Sequence, residues 1–132
     1  KLEIDGTPID LAKVTVPVCF VSTFEDHIAP WKSTYAGVKL FGGSKRFILG
    51  GSGHLAGIVN PPEANKYGYR VTSRPPADPE NWAEKAEVHE GSWWPEWQRW
   101  IKGKSGTQTD VRMPGDAGLG VIEDAPGTYV TK

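Results

Sequence analysis

Two side chains in this sequence sit where acid–base chemistry is plausible on residue type and spacing: Asp26, in TFEDHIAP (residues 23–30), and His54, in RFILGGSGHLAG (residues 46–57). Each lies in a loop that follows an apolar run, VTVPVCFVS at 14–22 and KRFIL at 45–49. If those runs are neighbouring parallel strands, about 5 Å apart, both loops leave the same sheet edge and Asp26 can reach His54. A carboxylate accepting the Nδ1–H of an imidazole makes the back half of a nucleophilic triad. The glycines around His54 (Gly50, Gly51 and Gly53) then read as clearance for a backbone that passes close to strand ends.

Each residue also has a plainer reading. An Asp ahead of a helix is commonly a solvated turn residue, and a lone histidine is commonly structural. Glu25 and His27 flank Asp26, but consecutive side chains cannot both point at His54; His89 lies among acids and reads as a solvated surface residue. Ser52 is no nucleophile elbow, because G-x-S-x-G needs glycine at the position His54 occupies. Cys19 lies inside an apolar run, which predicts a buried, inert thiol. Residues 42–45, GGSK, lack the spacing of a phosphate-binding loop. The chain therefore offers a base and its orienting acid without a nucleophile.

The elements that must hold these residues follow from the pattern. Residues 1–11 alternate around Asp5-Gly6 and predict a small hairpin or a strand–turn–helical-turn entry. The β-branched run at 14–22 predicts a strand with Pro17 near its start. Pro30 opens a helix carrying Trp31, Tyr35 and Val38 on one face and stopped by Gly42-Gly43. With the run at 45–49 as a second strand, the order is a βαβ unit with a parallel sheet and right-handed crossover.

Residues 60–78 carry two Pro-Pro pairs and predict an ordered surface loop. Asp78-Pro79 caps a short helix to about Glu87, and Ser92 caps a second. There Trp93, Trp97, Trp100 and Ile101 share a face, with Gly103 as the stop; Trp94 lies beside it. Core packing is the leading expectation for this aromatic face, with contact to an apolar polymer and a dimer contact as alternatives. The chain thus divides into a βαβ part at 1–59, a Pro-rich loop with a short helix at 60–91, a Trp-rich helix at 92–102 and an extended tail at 103–132.

Composition narrows the classes. The 132 residues suit one small domain. Fifteen basic against sixteen acidic residues argue against a nucleic-acid footprint or a polybasic membrane surface. No apolar run approaches the ~20 residues that span a bilayer. The start lacks both Met and a signal-peptide pattern. The single cysteine excludes an internal disulfide or cysteine-based metal cluster and fits an intracellular setting.

Four stretches in order, EDHIAPW (25–31), GGSGHLAGIVNPP (50–62), GSWWPEWQRW (91–100) and IEDAPGTYV (122–130), resemble the C-terminal part of the poly(3-hydroxyalkanoate) synthases. The SWW-x-x-W form is similar to the single-polypeptide, class I-like synthases. The resemblance implies the C-terminal part of an α/β-hydrolase fold, and the order Asp before His agrees with that fold, where the nucleophile comes earliest. It implies an acyltransferase that polymerises (R)-3-hydroxyacyl-CoA, 3-hydroxybutyryl-CoA above all, releasing CoA from a cysteine-bound thioester, with no metal and no bound cofactor. His54 corresponds to the family's base. Asp26 corresponds to its aspartate, either orienting the histidine or activating the substrate hydroxyl.

The family's cysteine has no counterpart, since Cys19 stands in the wrong motif. The chain is therefore expected to be the last quarter or so of a synthase, inactive alone and prone to self-association through an exposed sheet edge. The resemblance further implies cytoplasmic polyester granules, a growing polyester chain and a homodimer of the full enzyme as its setting and partners. Two rival readings remain: another α/β-hydrolase, such as a lipase or depolymerase with an upstream serine, and a non-catalytic module binding polymer granules.

Overall fold

The computed structural model describes residues 2–113, 115 and 118–131. A hairpin comes first. Strands β1 (Glu3–Ile4) and β2 (Thr7–Pro8) pair antiparallel around Asp5-Gly6, whose φ values of 48° and 71° are both left-handed, as a type I′ turn requires. A 3-10 turn, Leu11–Lys13, follows and is capped by the Asp10 carboxylate.

The central sheet has three strands, β3 (Val18–Thr23), β4 (Lys45–Gly50) and β5 (Tyr69–Thr72), in the order β3-β4-β5. β3 starts directly after Pro17, because a residue without an N–H cannot extend the ladder inward. Residues 14–16, expected within this strand, lie outside it; the Val14 carbonyl instead accepts the N–H groups of Gly42 and Gly43, each at 3.1 Å. Helix α1 (Trp31–Val38) connects β3 to the parallel β4 and makes the expected βαβ unit. Pro30 caps this helix rather than beginning it, and the helix ends at Val38 with Lys39 as its cap, ahead of Gly42-Gly43.

The expectation of loop throughout 60–78 is corrected by β5, which runs antiparallel to β4 with Phe47 opposite Thr72 and Gly50 opposite Tyr69. The segment Tyr-Arg-Val-Thr has strand-forming residues, but the neighbouring Pro pairs mask it and only the open edge of β4 supplies its ladder. Helix α2 (Pro79–Lys85) starts at the expected Asp78 cap, whose side chain accepts the Asn81 N–H at 3.1 Å.

Strand alternation divides the packing between two faces. On one, Phe47 and Leu49 are fully buried among Trp31, Tyr35, Val38 and Ala83, with Phe20 and Trp82 against them. The Tyr35 ring lies edge-on to Phe47 at 4.8 Å, and its hydroxyl donates to the Pro76 carbonyl at 2.6 Å, so the buried phenol stays satisfied. On the other face Arg46 meets α3 (Trp94–Lys102). There the aromatic stripe is not what is buried. Glu96 is the buried residue of α3, its carboxylate 2.7 Å from Arg46 and also paired with Arg99, whereas Trp97 is 42% exposed. An apolar groove of about 550 Å³ runs past Ile58, Pro62, Trp93, Trp94 and Trp97. Beyond α3 the described residues of the tail are mostly exposed and end in a 3-10 turn, Thr128–Thr131. Among the described residues no helix is long and apolar enough to cross a membrane.

Removing one partner of a buried ion pair strands the other charge, and Arg46 already keeps its Nε without a partner. Glu96→Ala is expected to lower stability by about 3 kcal/mol in urea unfolding. Glu80→Ala, which breaks an exposed pair with Lys32, should cost no more than about 0.5 kcal/mol. Equal losses would contradict Glu96 as the attachment of α3.

Candidate active site

Parallel pairing of β3 and β4 sets Thr23 opposite Gly50 at the carboxyl end of the sheet. The ladder then continues into the loops: Phe24 donates to the Gly50 carbonyl at 2.8 Å and Glu25 to the Ser52 carbonyl at 3.0 Å. Two loops remote in sequence are thereby zipped together. Their side chains meet one residue later, where His54 Nδ1 lies 2.8 Å from Asp26 Oδ2.

The two oxygens of Asp26 have separate tasks. Oδ1 accepts the N–H groups of Ile28 at 2.9 Å and Ala29 at 2.8 Å, which locks the carboxylate onto its own loop. Oδ2 is left for the imidazole. The Asp26 side chain keeps only 6% of its accessible surface, against 43% for His54. The Ala29 N–H foremost holds the Asp26 carboxyl below the usual carboxylate range; the bonds from His54 and Ile28 add to this, and desolvation opposes it. An ionised Asp26 can only accept, so Nδ1 carries the proton and the lone pair of neutral His54 sits on Nε2. Among the described residues no hydrogen-bond partner meets Nε2, and the imidazole is the exposed member of the pair.

The other candidates fall elsewhere. Glu25 and His27 are exposed on the loop beside Asp26. His89 bridges to Tyr69 through its backbone and stacks on that ring at 5.1 Å, so it serves the sheet rather than the surface. Cys19 is half-buried within β3, its thiol pushed up by burial against the weaker opposing pull of Arg46, and lies about 13 Å along the strand from Thr23. Among the described residues no group of three His, Cys, Asp or Glu side chains could hold a metal ion.

Ser52 is the surprise of the loop. It adopts φ of 65°, whereas Gly50, Gly51 and Gly53 do not take left-handed angles. The expected clearance for a backbone passing close to strand ends is found at Gly51 but not at Gly53. A Cβ at Gly51 would stand 2.2 Å from the Tyr67 carbonyl, and one at Gly57 would stand 2.4 Å from both the Gly51 carbonyl and Thr23 Cγ2. At Gly53 the nearest atom is 3.8 Å away. Glycine is therefore needed where the loop packs on β3 and on the entry to β5, not beside His54.

Sequence reasoning also missed two donors. Trp93 Nε1 bonds the Gly57 carbonyl and Trp94 Nε1 the Ile58 carbonyl, each at 2.9 Å. The signal was present: an indole N–H in a packed setting requires an acceptor, and two adjacent tryptophans require two.

No family model matches the chain. It is 45% identical over 130 residues to the poly(3-hydroxyalkanoate) polymerase subunit PhaC of Rhizobium etli, covering 98% of this chain and 20% of that protein. The PhaC subunit of Cupriavidus necator is 42% identical over 131 residues (98% and 22%), and the poly(3-hydroxyalkanoate) polymerase of Methylorubrum extorquens 44% (98% and 22%). The chain spans about a fifth of the length of these relatives.

Because the carboxyl of Asp26 is held low, its stabilising bonds are complete at neutral pH and are lost only as pH falls through that lowered value. In a 13C titration Asp26 Cγ should protonate below ordinary aspartates, and His54→Ala should reverse this only in part, since the Ala29 and Ile28 N–H groups remain. Full return to the ordinary range in His54→Ala would contradict the assignment. With this geometry and these likenesses together, the chain is related over nearly its whole length to one segment of the poly(3-hydroxyalkanoate) polymerases.

Proposed function

We propose that this chain is the C-terminal part of a poly(3-hydroxyalkanoate) polymerase and supplies the base of its acyl-transfer site. The observation that carries the reading is the 2.8 Å contact between Asp26 Oδ2 and His54 Nδ1, with Nε2 left open. His54 Nε2 takes the proton of a cysteine thiol contributed from outside this chain. The thiolate attacks the thioester carbonyl of (R)-3-hydroxyacyl-CoA, the acyl–enzyme thioester forms, and the CoA thiolate leaves with the proton held on the imidazole. In elongation a 3-hydroxyl replaces CoA in the reverse sense: its oxygen attacks an acyl thioester, its proton passes to a base and the cysteine thiol is regenerated.

The environment of Asp26 favours orientation over direct activation of the hydroxyl. Both of its oxygens are engaged and its basicity is lowered by those bonds, whereas a general base works best with a pKa near the working pH. His54 is therefore the base in both half-reactions. The setting proposed for the whole enzyme is the cytoplasmic surface of polyester granules, with the synthase as a homodimer.

The 132-residue chain alone should release no CoA from 3-hydroxybutyryl-CoA above the buffer rate. In a full-length polymerase carrying this segment, His54→Ala should abolish polymer formation and Asp26→Asn should lower it by about 10³-fold or more, the scale of mis-set histidine tautomers in related triads. CoA release by the isolated chain, or near-normal polymer yield with Asp26→Asn, would refute the reading.

A further inference from the structure

The proposed base sits on a loop, residues 51–57, that has no regular structure of its own. Within it, Gly57 donates to the Gly53 carbonyl at 2.9 Å and Val59 to the Leu55 carbonyl at 2.8 Å, so the segment is a pair of tight turns. The Gly57 and Ile58 carbonyls at its far end point away from those turns, and the two indoles receive them. Trp93 also reaches the near end, since a Cβ at Gly50 would stand 3.5 Å from Trp93 Cδ1. The same ring thus lies beside the last residue of β4 and bonds the residue that closes the His54 loop.

We propose that Trp93 and Trp94 are positioning residues for His54, a paired indole clamp that holds the loop at the height where Nδ1 meets Asp26. This rests on the reading of His54 as the base. The clamp is itself anchored at both ends: the Ser92 hydroxyl accepts the Trp94 N–H at 3.0 Å, and Glu96 ties the first turn of α3 to Arg46 at the opposite end of β4. The indoles stand edge to face at 6.4 Å, so a shift of one displaces the other. Helix α3 thereby acts on the site without touching it, transmitting the position of β4 to the loop that β4 carries.

The test is the His54 Nδ1–H signal in 1H–15N spectra of the 132-residue chain, with folding checked by amide dispersion. Trp93→Phe and Trp94→Phe keep an aromatic ring and remove the donor. Each is expected to raise solvent exchange of His54 Nδ1–H by about tenfold, the scale of one lost buried hydrogen bond. Trp97→Phe, a control on the same helix, is expected to leave it unchanged. Wild-type exchange in both clamp variants, or an equal rise with Trp97→Phe, would overturn the proposal. If Trp93→Phe fails to fold, Trp94→Phe decides alone. The measurement requires no acyl transfer, so a failure of the clamp is distinguishable from a failure of the catalytic reading, which the polymer yield of Asp26→Asn reports separately.

Discussion

The parallel register of β3 against β4 is the constraint on which the rest depends. With Thr23 opposite Gly50, the ladder runs past the strand ends into Phe24–Gly50 and Glu25–Ser52 bonds. Asp26 and His54 are then the next side chains available on each loop. A slip of one strand by one residue would turn its side chains to the opposite face and part the two. The buried run Phe47-Ile48-Leu49 resists that slip, because Phe47 and Leu49 are locked into the aromatic core while Ile48 fills the other side.

The second face shows a different economy of contacts. A helix rich in tryptophan would be expected to dock by apolar area, yet α3 buries a carboxylate and uses two indole N–H groups. Buried ion pairs add little net stability but are intolerant of displacement, so the Arg46–Glu96 pair fixes where α3 sits more than how strongly. The same logic holds for Asp26, whose Oδ1 is spent on Ile28 and Ala29 N–H groups so that Oδ2 has one geometry. Directional bonds at these places set positions, while the core around Phe47 and Tyr35 supplies the cohesion.

Much of this was legible in the residues. The βαβ order, the Asp5-Gly6 hairpin, the Asp78 cap and the nearness of Asp26 to His54 all follow from local signals: β-branched runs, turn residues and loops shared at one sheet edge. What escaped were features decided by tertiary partners. Strand β5 exists because β4 offers an open edge, not because its four residues announce it between Pro pairs. The burial of Glu96 has no local signal and is explained only by Arg46 standing opposite it. The glycines were noticed for the right reason, close approach of backbone, which Gly51 bears out against the Tyr67 carbonyl, whereas Gly57, which clears the Gly51 carbonyl and Thr23, went unremarked.

The proposed chemistry depends on the protonation geometry of one ring. The direct measurement is the side-chain 15N shifts of His54 in the neutral imidazole form. The expected result is a protonated, pyrrole-type Nδ1 held by Asp26 and an unprotonated Nε2. A dominant Nε2–H tautomer, with Nδ1 unprotonated, would contradict it.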